Sequence, residues 1–164
     1  MRFRRTFIFV DLSGFTTFTE QHGDGTAAQL LSKFRAVARA VGSHQGVRID
    51  KYLGDGLMAV AVEAHDGITF AMELQRHATV ACAPLSLRIG IATGDTMLFE
   101  GQDYIGSAPN MAARLCDAAA GVGGRREGRT GAVAAVRVGR VVDGNGDVRG
   151  VHVGDVTEGA GWLP

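Results

Sequence analysis

Two aspartates stand at places where the chain turns. Asp11 ends the apolar run TFIFV, and Asp55 lies between Gly54 and Gly56, in an Asp-Gly pair that favours a tight hairpin. If the first strand and that hairpin are neighbours in one sheet, both carboxylates reach one point. Two close carboxylates repel unless a proton or a cation lies between them. Mg²⁺ or Mn²⁺ suits such a pair, because these ions take oxygen ligands and are commonly held by one or two carboxylates plus substrate phosphates. The competing reading makes Asp11 a cap for the next turn and Asp55 an ordinary turn residue. It serves for either residue alone and poorly for the two together.

Other residues point to a phosphorylated ligand. The stretch LSGFTTFT follows Asp11, where Gly14 and the small residues Ser13, Thr16 and Thr17 can leave backbone amides free to face a triphosphate, with the N-terminal end of the next helix behind them; Gly14, Phe15 and Thr16 are the expected substrate-binding positions. Any Gly/Ser/Thr turn has some of this character. Lys51 lies four residues before Asp55 and is one of two lysines, with Lys33. In a buried-looking strand a lysine is costly unless paired or used, and it could donate to a ring nitrogen of adenine. Its competing reading is an edge-strand lysine in solvent. Asp103, in GQDY, can accept from an exocyclic amino group or be a plain loop aspartate. Asn110 and Arg114 are four apart on one helix face. Asn can hold a ribose oxygen and Arg offers a fork for phosphate oxygens; the competing reading is a solvated helix face.

Positioning these residues requires an alternation of strands and helices. Residues 6 to 10 read as a buried strand. Leu30, Leu31, Phe34, Val37, Ala38 and Val41 form one apolar stripe on a helix over residues 26 to 41, and Gly42 and Gly46 break it. VRIDKYL and LMAVAV make the hairpin. A second helix covers residues 64 to 80, with Ile68, Ala71, Met72 and Leu74 inward. LSLRIGIATG is a central strand and TMLFE a short strand after Gly94. A third helix covers residues 107 to 118, with Ser107 as cap and Pro109 in its first turn. This order predicts an α+β fold, a ferredoxin-like antiparallel sheet with helices packed on one face. The other face needs a partner or a cover from the C-terminal part.

The 164 residues fit one domain, and zero formal net charge argues against a nucleic-acid surface. No apolar stretch is long enough for a membrane span. The basic prefix and short apolar run at the start read as a strand and not as a signal peptide. Cys82 and Cys116 are isolated, which fits a reducing cytoplasm.

Taken together, these motifs resemble the class III adenylyl/guanylyl cyclase catalytic domain. FVDLSGFT is similar to the family's first motif, KYLGDGLMAV to its second, LRIGIATG to its central strand and DYIGSAPNMAARL to its third. The resemblance covers residues 6 to 116. It implies Asp11 and Asp55 as ligands of two Mg²⁺ or Mn²⁺ ions, Lys51 and Asp103 as the base-specifying pair, Asn110 as the ribose-orienting residue and Arg114 as the transition-state arginine. The Lys/Asp pair resembles adenylyl rather than guanylyl cyclases. The implied reaction converts ATP to cyclic AMP in a homodimer whose sites are shared between subunits. A cyclic dinucleotide synthase would need a GG(D/E)EF-type hairpin, and the hairpin here reads YLGDGLM.

The division expected is a catalytic core over residues 1–120 and an atypical segment over 121–164. That segment lacks Ile, Phe, Tyr, Met and Lys and has a single Leu. It departs from the family's usual continuation, lacks the lysine that many members use for phosphate, and resembles GC-rich DNA translated in a shifted frame. Its valines around Gly144 to Gly146 suggest one further hairpin, in a segment otherwise expected to be partly disordered. The alternative function is therefore an impaired or inactive cyclase-like nucleotide-binding or dimerisation domain.

Overall fold

The computed structural model describes residues 1–119, 135–140 and 150–153. Its elements are β1 (Phe3–Ser13), α1 (Phe15–Gln45), β2 (Arg48–Leu53), β3 (Gly56–Ala61), α2 (Ala64–Ala81), β4 (Ser86–Phe99), β5 (Asp103–Ile105), α3 (Ser107–Ala119), β6 (Ala135–Arg140) and β7 (Gly150–Val153). The strands run in the order β2-β3-β1-β4-β6-β7, with β5 paired to β4. All pairs are antiparallel except β4 with β6. This is the expected α+β fold, with the first strand beside the hairpin.

Side-chain alternation along β1 divides the core in two. Ile8, Val10 and Leu12 face α1 and α2, where Phe34, Phe70 and Leu74 are fully buried. Phe7 and Phe9 face the other way, with Met58, Val60 and Ala92, and meet Ala108 and Ala112 of α3. Thus α1 and α2 cover one face and α3 covers part of the other. Gly90 makes the second contact possible. A Cβ there would lie 2.1 Å from the Ala112 carbonyl oxygen, so the helix can approach β4 this closely only over glycine.

Three elements differ from the sequence reading. The first helix starts at Phe15, well before residue 26, because Gly14 takes a left-handed conformation (φ 85°) and directs the chain straight into it. Gly23 then interrupts the helix with non-helical backbone angles. LSLRIGIATG and TMLFE form one 14-residue strand, β4. Gly94 does not break it, since it stays in register opposite Arg5 on β1. The GQDY stretch, read as a loop, contributes β5.

The hairpin suggested for the C-terminal segment corresponds to β6 and β7, which pair antiparallel from Val136 with Val153 to Gly139 with Gly150. The expectation of partial disorder over residues 121–164 falls, apart from β6 and β7, on residues outside those described.

Candidate active site

The hairpin that carries Asp55 is held from behind. Arg35 of α1 donates a hydrogen bond to the Gly54 carbonyl oxygen at 3.2 Å, and its guanidinium lies 4.5 Å from the Tyr52 ring centroid. β1 runs beside β3, bringing Asp11 opposite Gly56 and Arg88. A Cβ on Gly56 would sit 3.4 Å from Asp11 Oδ1, so the Asp11 carboxylate lies against the residue that follows Asp55. Burial, and then the negative charge of Asp11, push the Asp55 carboxyl above its usual range. Both effects disfavour the ionised Asp55 carboxylate, and the charge of Arg88 opposes them without cancelling them.

Arg88 is a residue that the sequence reading passed over. It forms an ion pair with Asp11, and that hydrogen bond holds the guanidinium above its ordinary pKa. Among the described residues its buried Nε has no hydrogen-bond partner. The signal was present in LSLRIGI, where one arginine interrupts an apolar strand. A guanidinium beside the carboxylate pair can take phosphate oxygens as well as carboxylate.

Lys51 and Asp103 form a second cluster. Lys51 Nζ donates to Asp103 Oδ1 at 2.8 Å and lies 3.9 Å from Asp50 Oδ2. The hydrogen bond to Asp103 is the main cause of an upward shift at Lys51. β2 is the edge strand of the sheet and half-exposed, not the buried strand the sequence suggested, so pairing with carboxylates rather than burial defines this lysine. Lys51 stands opposite Met58, which places it on the α3 side of the sheet with Asp11.

Asn110 and Arg114 are exposed on α3, on that same side. Among the described residues, no hydrogen bond or ion pair joins them to either cluster, or joins the Asp11–Asp55 cluster to Lys51 and Asp103. Gly14 caps α1 without a side-chain hydrogen bond, so the first-turn amides of Phe15 and Thr16 are free of such a cap beside the end of β1.

Carboxylates such as those of Asp11 and Asp55 are ligands that a hard divalent cation accepts. The charge of Asp11 reaches Asp55, and Arg88 offsets it only in part. Among the described residues no group of three or more His, Cys, Asp or Glu side chains gathers anywhere, so substrate oxygens would have to complete the coordination.

No family model matches the chain. Over 112 residues it is 36% identical to an uncharacterized protein of Mycobacterium tuberculosis, a match spanning 68% of this chain and 29% of that protein. Over 107 residues it is 30% identical to an adenylate cyclase of Streptomyces coelicolor, spanning 65% of this chain and 28% of the relative. The chain thus matches less than a third of the length of either relative. Among solved structures it is similar to the adenylyl cyclase CyaB from P. aeruginosa, with a TM-score of 0.69 at 21% identity over 98% of both chains. It is also similar to the monomeric guanylyl cyclase domain of the RhoGC fusion protein from the aquatic fungus Blastocladiella emersonii, with a TM-score of 0.66 at 16% identity over 84% of this chain and 82% of that one. The fold is that of the class III adenylyl/guanylyl cyclase catalytic domain. Among the described residues, no helix is long and apolar enough to cross a membrane.

Proposed function

We propose that this domain is an adenylyl cyclase, which converts ATP to 3′,5′-cyclic AMP and pyrophosphate at sites shared between two copies of the chain. The observation that carries the reading is that Asp11, whose charge reaches Asp55 and raises its carboxyl, lies on the same side of the sheet as Lys51 with its partner Asp103. The similarity to the Streptomyces coelicolor adenylate cyclase supports it.

In this reading Asp11 and Asp55 hold two Mg²⁺ or Mn²⁺ ions. When bound, these ions lower the pKa of the ribose 3′-hydroxyl and offset charge on the departing pyrophosphate. The 3′ oxygen loses its proton and attacks the α-phosphorus, and the bond from the α-phosphorus to the bridging oxygen breaks. Arg114 offsets charge that grows on the α-phosphoryl oxygens, and Asn110 orients the ribose. Lys51 donates to an adenine ring nitrogen and Asp103 accepts from the 6-amino group. Gly14, Phe15 and Thr16 present amides to the triphosphate, and Arg88 supplies a further cation beside Asp11.

Two observations support the homodimer. Asn110 and Arg114 have no partner cluster within the described residues of their own chain. Met97, Leu98 and Phe99 of β4 and Ile105 of the paired β5 expose large apolar side chains that a second copy could cover. Two buried free cysteines fit a cytoplasmic setting.

The test is cyclic nucleotide formation from ATP and GTP at equal concentration, with Mn²⁺, Mg²⁺ or chelator. Metal-dependent cyclic AMP formation, faster than cyclic GMP formation and abolished in Asp11→Ala and Asp55→Ala, is expected. Equal or faster turnover of GTP would remove the adenylyl assignment. Tight ATP binding with no turnover would leave the inactive binding-domain reading in its place.

A further inference from the structure

The β2–β3 register slips between Ile49 and Lys51. Ile49 stands opposite Ala59 and Lys51 opposite the adjacent Met58, so Asp50 is an extra residue in the strand. Such a bulge re-aims side chains and recurs next to active sites. Here it brings a second carboxylate to Lys51. The Asp50 side chain is only 8% exposed, with Oδ1 accepting from Arg48 at 2.5 Å and Oδ2 lying 3.9 Å from Lys51 Nζ. Arg48 also donates to the Tyr104 hydroxyl at 2.7 Å. The Tyr104 ring packs edge-on against Phe7, with centroids 5.1 Å apart. A chain of contacts therefore runs from the sheet core through Tyr104 and Arg48 to Asp50, and from there to Lys51. Tyr104 is also the sequence neighbour of Asp103, so one anchor serves both ends of the Lys51–Asp103 pair.

We infer that Asp50 is a positioning residue for nucleobase selection, holding the Lys51 ammonium in place when Asp103 turns its carboxylate to the base. The inference rests on the base-reading assignment above. Asp103 is the exposed partner, 67% open at its side chain. It cannot give all its accepting capacity to both the lysine and an exocyclic amine. With Asp103 engaged by the base, a lysine lacking a second counter-charge would swing toward solvent. Asp50, rigidly placed by the bulge and by Arg48, keeps it on the base edge. The expected consequence is selectivity for a base with a ring acceptor beside an exocyclic donor.

The experiment uses Asp50→Asn in the full chain, with Lys51→Met and Asp103→Asn for reference. With two lysines, ¹³Cε-lysine NMR gives a signal for Lys51 that Lys33 controls. Asp50→Asn is expected to shift the Lys51 signal and lower its order while leaving Lys33 unchanged. KM for ATP should rise about three- to tenfold, as for a partly exposed charge partner, with kcat for ATP within about twofold of wild type and KM for GTP unmoved. A purely structural role would alter both nucleotides alike. If Lys51→Met destroys the ATP-to-GTP ratio and Asp50→Asn leaves both the ratio and the Lys51 signal intact, the positioning role is overturned while base reading stands. If Lys51→Met itself leaves the ratio unchanged, the base-reading assignment falls, and the role of Asp50 with it.

Discussion

Asp55 sits in a place that disfavours its ionised form. Its carboxyl is held above the ordinary value, first by burial and second by Asp11. A raised folded-state pKa means that the folded protein binds this proton more tightly than the unfolded chain does. The associated stability is complete below the unfolded value and is lost as pH rises through the raised one. At neutral pH, without metal, the ionised side chain therefore costs stability. Asp55→Asn should melt at a higher temperature than wild type at pH 7 in chelator, with the advantage shrinking as pH falls toward 4. Added Mn²⁺ should raise the melting temperature of wild type and not of the variant. A wild-type melting temperature indifferent to Mn²⁺ would remove the metal assignment. On α3, Arg114→Ala should lower kcat by about 10²–10³-fold, the scale of losing one charge-stabilising donor, with a smaller change in KM; steady-state kinetics would register it. Loss confined to KM would make Arg114 a ground-state binder. At this scale the sequence was informative where residue type and turn chemistry coincide, as at Asp11 and Asp55. Arg88 stands out as an arginine in an apolar strand, but its partner does not, and nothing local marks Asp50. The contact of Arg88 with Asp11 spans 77 positions, and the role of Asp50 depends on a register slip that no local pattern records.

The elements were legible in kind more than in extent. Apolar periodicity located α1 and α2, and the Ser107 and Pro109 start signals located α3, while glycine misled in both directions. Gly94 looked like a strand break, yet pairing with β1 carries β4 through it. Gly14 looked like part of a turn, yet its positive φ begins a helix. Gly90 attracted no notice in LRIGIATG, although it sets how closely α3 approaches the sheet. Gly90→Ala would force the Ala112 carbonyl away from a contact of 2.1 Å, shifting a whole helix rather than one side chain. We expect a destabilisation of about 1–3 kcal/mol in chemical denaturation, as for an overpacked core. Activity should fall beyond that loss, because α3 carries Asn110 and Arg114. A variant with unchanged stability and kinetics would show that α3 is not positioned by this contact.

The molecule as a whole presents one sheet face that α3 covers only in part, and it carries candidate site residues in groups that do not meet among the described residues of one chain. The sequence reading foresaw an unpartnered face from the ferredoxin-like order of elements. It could not foresee the apolar cluster on β4 and β5, because β5 was not recognised. Phe99 is half exposed in that cluster. Phe99→Asp should shift sedimentation toward monomer and reduce specific activity in proportion to the dimer lost; full activity in a demonstrated monomer would place the site within one chain. The composition of residues 121–164 remains unusual for a domain of this fold, since valine and glycine dominate where other large apolar side chains are scarce.

The most direct test of a metal-dependent cyclase with shared sites mixes two inactive proteins. Asp11→Ala and Arg114→Ala damage opposite halves of the proposed site. In a mixed dimer both defects fall on one site, leaving the other intact. With free subunit exchange, half the dimers are mixed and each carries one working site, so cyclic AMP formation should recover to about a quarter of the wild-type rate. Continued inactivity in a mixture whose subunits are shown to exchange would contradict the account.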